Sequence, residues 1–287
     1  MTGPLQALRA LGNVLTPALI EGTYAALSAE ALRLRPDAKV LDDRVYGNDP
    51  RHRLNLFLPP GDPPSVVLVY VHGGGFAAGD KGGPGARFFA NWGAFALTKG
   101  WAGAAMTYRL APQVHWPSGA EDVAAAVRYL ADGADGALRR PRILLAGQSA
   151  GAVHVADYLV GRAGPPDAAV AGAVLMSGLY DFSRHERLGF EAAYQGDAPA
   201  AQSTLSGLVD LDLPVLFTVS EFDPPAFQRQ ASIVVEAALA RRGAWPRMHW
   251  LAGHNHVSPA LHVGAVGDRL GPLIADFAGG ALAPGAP

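Results

Sequence analysis

The segment SVVLVYV, Ser65 to Val71, is a continuous β-branched and apolar run with no polar side to turn toward water. A strand of that kind is buried on both faces, which an open sheet achieves only with helices laid over each side. WAGAAMTYRL, RILLAG, AVAGAVLMSG and LPVLFTVSE repeat the character, and each ends in a polar or glycine-rich break. Helical patterns lie between them, over Gly85 to Lys99, Ala120 to Ala131, Ala150 to Gly161 and Ala226 to Arg242. A short strand, PRMHWLAG, and a last helix near Ser258 to Phe277 complete the order. RLNLFLP, from Arg53, alternates polar and apolar and predicts a half-exposed strand near a sheet edge. The alternation predicts an α/β fold, with a mostly parallel central sheet flanked by helices on both faces.

No repeat or low-complexity linker divides the 287 residues, so residues 1–287 read as one domain. Helix starts are marked: Ser118 with Glu121 predicts a capping box, and Pro225 opens the next long helix. Glu121 and Asp122 read as helix-start charges. The formal net charge of −2 supplies no basic field, which argues against nucleic acid as a partner. The absence of cysteine excludes disulfides and thiolate metal sites. No apolar run reaches the roughly 18 residues of a membrane span. The opening MTGPLQALRALGNVLTPALIEGTY lacks the charged start and unbroken apolar core of a secretory signal, so a cytoplasmic location is expected. That opening reads instead as an amphipathic helix around Leu5, Leu8 and Leu15, packed on the body or covering a site.

In sheets of this kind ligands bind beyond the carboxyl ends of the strands. Four strand ends carry unusual chemistry: His72-Gly73-Gly74-Gly75-Phe76, Gly147-Gln148-Ser149-Ala150-Gly151, Ser220-Glu221-Phe222-Asp223-Pro224 and Gly253-His254-Asn255-His256. They supply a glycine loop, a serine between glycines, an acid and a histidine, in that chain order. A serine hydroxyl attacks carbonyls only when a histidine accepts its proton, and a carboxylate must hold that imidazole in the right tautomer. Glycines flanking Ser149 permit a sharp turn and close approach of helix and strand. The N–H groups of Ala150, Gly74 and Gly75 are then candidates for an oxyanion hole. Neither glycine loop continues into a phosphate-binding pattern. His254 and His256 lack an accompanying acidic cluster, so no metal site is expected. Glu221 competes with Asp223 as the acid, and His254 with His256 as the base. Glu221 otherwise caps a turn or bonds a loop amide, His72 fixes the glycine loop through a backbone carbonyl, and Asp80-Lys81 forms a local ion pair or cap.

HGGGF, YRLAP, GQSAG, EFDP and GHNH resemble the α/β-hydrolase fold, specifically the hormone-sensitive-lipase-like and related carboxylesterase group, from about Arg53 to the C-terminus. The resemblance implies that Ser149 is the nucleophile, Asp223 the acid before proline and His256 the base. Gln148 stands where the group's usual elbow has an acid, and Ala152 where it has a further glycine. It implies hydrolysis of a small-molecule ester through an acyl-enzyme, without a cofactor. The same triad could serve an amidase, arylformamidase or carbamate hydrolase. A non-catalytic receptor on the same fold is the reading from another class, and such proteins typically lose the histidine. The resemblance also leaves open a homodimer through the last strand and helix.

Two segments are candidates to cover the serine. One is residues 1–41, too apolar for a free tail. The other is residues 180–211, where Phe182, Phe190 and Tyr194 interleave with Arg184, His185, Glu186 and Arg187. Phe76, Tyr180 and Phe182 are the candidate substrate contacts. Both covers look small, which favours short or medium acyl chains, or aryl esters.

Overall fold

Among the residues that the computed structural model describes (4–83, 86–186, 189–197 and 199–283), eight strands form one sheet. They are β1 (Lys39–Val45), β2 (Arg53–Leu58), β3 (Val66–Val71), β4 (Ala102–Met106), β5 (Arg142–Gln148), β6 (Val170–Met176), β7 (Val215–Phe222) and β8 (Met248–Asn255). The spatial order is β1-β2-β4-β3-β5-β6-β7-β8. Strands β4, β3, β5, β6, β7 and β8 run parallel, whereas β2 pairs antiparallel with both β1 and β4. The helices are α1 (Pro4–Leu11), α2 (Pro17–Leu27), α3 (Arg87–Thr98), α4 (Ser118–Ala131), α5 (Ala150–Leu159), α6 (Gly189–Gln195), α7 (Leu205–Asp210), α8 (Pro225–Arg242), α9 (Ser258–His262) and α10 (Gly271–Ala281).

The uninterrupted apolar strands are explained by the two cores. Val67, Val69 and Val71 of β3 face a core shared with Val123 and Val127 of α4 and Val155 of α5. The intervening Leu68 and Tyr70 face a second core with Trp92 and Phe95 of α3 and Ile274 and Phe277 of α10. Each such side chain, fully buried, contributes about 1.5–3 kcal/mol, so neither face could carry a polar alternation.

Four expectations are corrected. The half-exposed strand expected at Arg53 is buried from Leu54 to Leu58. Its polar position, Asn55, is 3% exposed and satisfied within the protein: its amide donates to the Gly82 carbonyl at 2.9 Å, and its Oδ1 accepts from Asp43 N at 3.1 Å. The exposed edge is instead β1, KVLDDRV, whose charged side chains blunt it against further pairing. The single last helix is two, α9 and α10, separated by Gly264 and Gly267 at φ +78° and +79°. Asp268 fixes that break by accepting from the N–H groups of Gly264, Leu270 and Gly271.

At α4 the capping box does not form, because Ser118 is the first helical residue after Pro117 rather than the cap. Glu121 pairs with Arg109 at 2.8 Å. Asp122 is 1% exposed and accepts from the Arg109 backbone N–H and Nε, while its Oδ1 also meets His52 Nε2 at 3.0 Å. It is a buried anchor rather than a helix-start charge, and removing one partner of such a pair costs about 3–5 kcal/mol. The expected helix start at Gly85 lies outside the described residues.

Helices α1 and α2 seat Leu8 and Leu27 against Leu261 of α9, all three fully buried. Among the described residues no helix is long and apolar enough to cross a membrane.

Burial also sets an acid limit on stability. His72, His154 and His254 are almost fully buried, and desolvation pulls them from 6.5 down to about 4, about 3 and about 3. Because the native values lie below those of the unfolded chain, the unfolded state binds more protons as pH falls below about 6.5, and stability declines. Asp157 acts in the opposite sense, its carboxyl pushed up to about 7 by burial, so its contribution is lost as pH rises toward 7. Three histidines outweigh one aspartate. The melting temperature is therefore expected to fall progressively from pH 6.5 to pH 4.5, and a flat profile over that range would contradict neutral buried histidines.

Candidate active site

Strand β5 ends at Gln148, and the chain turns into α5 through Ser149 at φ +55°, ψ −120°. A non-glycine residue there is strained by about 1–3 kcal/mol and persists only where its surroundings dictate it. Ser149 N donates to the Met176 carbonyl at 2.9 Å. A Cβ on Gly147 would lie 2.4 Å from the Gly151 carbonyl oxygen, and one on Gly151 would lie 2.2 Å from that of Val71. Only glycine fits at either position, so strand, turn and helix close tightly around the half-buried Ser149.

That hydroxyl meets the imidazole of His256, with Oγ 2.9 Å from Nε2. His256 Nδ1 lies 2.6 Å from Asp223 Oδ1. Asp223 is fully buried at the end of β7, and its other oxygen accepts from Ser177 Oγ at 2.7 Å and Ser220 N at 2.6 Å. With both oxygens engaged, the carboxylate cannot rotate away from the imidazole. Phe227, on α8, packs on the His256 ring with centroids 4.2 Å apart. The structure thus brings together Ser149, Asp223 and His256 from three strand ends.

The alternatives are placed elsewhere. His254 is two residues back on β8, buried, with Nδ1 2.9 Å from Ser258 Oγ. Glu221 accepts from Gly253 N at 2.7 Å, an amide of strand β8 rather than of a loop, and pairs with Arg9. His72 Nδ1 lies 2.7 Å from the Gly73 carbonyl oxygen, and its ring stacks on Tyr108, whose hydroxyl donates to the His72 carbonyl. Asp80 accepts from Gly82 N, but Lys81 pairs with Asp43 at 2.7 Å and not with its neighbour.

The glycine loop runs through positive φ, and at Gly74 only glycine fits. Gly74 is at φ +134° and Gly75 at +59°, and a Cβ on Gly74 would lie 2.0 Å from the Ala78 carbonyl oxygen. Gly74, Gly75 and Ala150 line the same cavity as Ser149 and His256. Among the described residues no protein group accepts from their N–H groups. Three unspent donors around one hydroxyl are suited to stabilising negative charge on a substrate oxygen.

The cavity measures about 510 Å³ and has mainly apolar walls. Phe76 lines it, held by a parallel stack on Tyr194 at 4.7 Å between centroids. Tyr180 and Phe182 do not line it. Tyr180 turns into the main core against Phe217, and Phe182 packs behind the wall with Leu179 and Phe227. Expecting them as contacts failed because the segment after β6 first folds inward. Arg187 and the side chain of Phe190 lie outside the described residues. Leu15, from the N-terminal segment expected to cover the site, lines the cavity; the walls that sequence reasoning missed include Ile20 and Tyr24 of the same segment, together with Phe89, Leu179 and Val257. From the segment after β6, the cavity is reached by Glu191, which pairs with His185 at 2.8 Å. Ser177 was also missed, although a serine directly after β6 at the carboxyl edge of the sheet was a usable signal.

Residues 54–163 match the BD-FAE family. A comparison with curated proteins finds no match. Among solved structures, a candidate thioesterase from Silicibacter sp. TM1040 is 27% identical, with a TM-score of 0.65 over 88% of this chain and 90% of that one. Esterase B from Lactobacillus rhamnosis is 18% identical, with a TM-score of 0.69 over 97% and 96%. An esterase of the bacterial hormone-sensitive lipase family is 21% identical, with a TM-score of 0.68 over 96% and 97%. The sheet order, the strand-end site and these likenesses agree: the chain has the α/β-hydrolase fold.

Proposed function

We propose that this chain is a carboxylic ester hydrolase working through an acyl-enzyme on Ser149. The observation that carries the reading is the continuous hydrogen-bonded line Ser149 Oγ, His256, Asp223, with the serine held on a strained turn. His256 Nε2 takes the hydroxyl proton as Oγ bonds to the ester carbonyl carbon. The oxygen that becomes negative is met by the N–H groups of Gly74, Gly75 and Ala150, each worth about 2.7–4 kcal/mol in the transition state. Collapse breaks the bond to the alcohol, which leaves with the proton from His256. Water then gives a proton to His256 and attacks the acyl carbon, and the acid departs as Ser149 regains its proton. Asp223, unable to turn, keeps Nδ1 protonated and steadies the imidazolium. Nothing in this sequence requires a metal or organic cofactor.

Esterases among the structural likenesses are in keeping with an ester substrate, and the 27% identical candidate thioesterase keeps a thioester as the second acyl compound to test. The substrate is a small-molecule ester with a short or medium acyl chain or an aryl group, and the enzyme acts in the cytoplasm. The size of the cavity and its apolar walls support the choice of substrate, with the N-terminal segment, through Leu15, Ile20 and Tyr24, as the principal cover. On p-nitrophenyl acetate, butyrate and palmitate, kcat/KM is expected to be highest for acetate or butyrate and at least tenfold lower for palmitate, roughly the discrimination available from an apolar pocket of limited size. A palmitate preference would overturn the chain-length reading.

A further inference from the structure

We propose that Gln148 is a positioning residue that holds His256 in register with Ser149; the inference rests on the esterase reading above. Gln148 is the last residue of β5, next to the nucleophile, and is 6% exposed. Its Nε2 donates to the backbone carbonyl of His256 at 2.6 Å. Among the described residues no other side chain donates to that carbonyl. A Cβ on Gly73 would lie 2.8 Å from Gln148 Oε1, so the same amide also fills the space under the glycine loop. One side chain therefore touches the turn that carries the nucleophile, the segment that carries the base and the loop that carries the oxyanion donors.

The chemistry calls for an amide here. The His256 carbonyl needs a donor, and an ionised carboxylate can only accept. A carboxylate would therefore set acceptor against acceptor and add negative charge beside an oxygen that becomes negative during reaction. An apolar side chain of the same length would leave the carbonyl without its donor. The neighbouring Asn255 is already committed elsewhere. It accepts from Val257 N and Ser258 N and donates to Thr23 of α2, which fixes the segment beyond His256 but not its carbonyl.

The test is steady-state hydrolysis of p-nitrophenyl acetate by wild type, Gln148→Met, Gln148→Glu and Gln148→Asn between pH 5 and 9. Met and Glu are each expected to lower kcat about 10- to 100-fold, with KM within about threefold, the pattern of a misplaced catalytic group. In Gln148→Glu the acidic limb of kcat/KM is also expected to move up by about one pH unit, because a nearby negative charge favours the imidazolium. Gln148→Asn keeps the amide but is one methylene too short for the same reach, and should lose kcat without overfilling the site. It keeps the test decisive if a larger variant fails to fold by circular dichroism. Folded variants with wild-type kcat and an unmoved acidic limb, or a loss confined to KM, would overturn the proposal while the esterase reading stood. A wild type without esterase activity would overturn both.

Discussion

His256→Ala is expected to lower kcat on p-nitrophenyl acetate by about a millionfold, to the level left by binding and the oxyanion donors alone. His254→Ala is expected to leave kcat within about threefold. The two histidines differ by two positions in sequence but not in burial or residue type, so the contrast isolates geometry. His256 lies between Ser149 Oγ and Asp223 Oδ1, at 2.9 and 2.6 Å. His254 faces Ser258 and His262, and burial holds its imidazole neutral at about 3. Its loss should appear in the melting temperature instead, since it removes one buried hydrogen bond at Ser258 Oγ, which keeps Asn255 N and the Asn255 carbonyl as partners, at a cost of about 0.5–1.5 kcal/mol. Paired rate and melting measurements check both halves, and a His254→Ala enzyme as inactive as His256→Ala would contradict the assignment.

Ser149→Ala is expected to cause a loss of the same size with the fold intact. The hydroxyl oxygen is the atom that would be acylated, and among the described residues no other serine, threonine or lysine lines the cavity. Alanine inherits the strained φ of +55° and every backbone contact of the turn, so the thermal transition should move by only a few degrees. Groups that act as a unit are not additive in their effects. The double variant Ser149→Ala/His256→Ala should therefore be no slower than either single one. A further large drop in the double variant would mean that His256 serves some second nucleophile.

The parallel strands were legible because burial on both faces leaves no polar alternation to misread. Strand β1 was not, since KVLDDRV has the charge of a loop and becomes a strand only through pairing with β2. The same pairing buries β2, and Asn55, which looked like a solvent-facing residue, is satisfied by backbone groups remote in sequence. The candidate site was legible in so far as its parts sit at strand ends in a fixed chain order, with glycines whose absent side chains mark close approaches. Its supports were not. Ser177 reaches Asp223 across 46 residues and Gln148 reaches His256 across 108, and no local pattern signals either contact. The cavity walls were the least legible part, because aromatic residues placed near the site by sequence, Tyr180 and Phe182, pack into cores while Ile20 and Tyr24 arrive from the distant N-terminal segment.

The central claim is that Ser149 is the atom acylated, and intact-mass and peptide mass spectrometry after incubation with a fluorophosphonate tests it most directly. The expected result is one adduct per chain, on the peptide containing Ser149, absent from Ser149→Ala and strongly slowed in His256→Ala. An unlabelled wild type, or a Ser149→Ala protein that is still labelled and still hydrolyses p-nitrophenyl acetate, would contradict it.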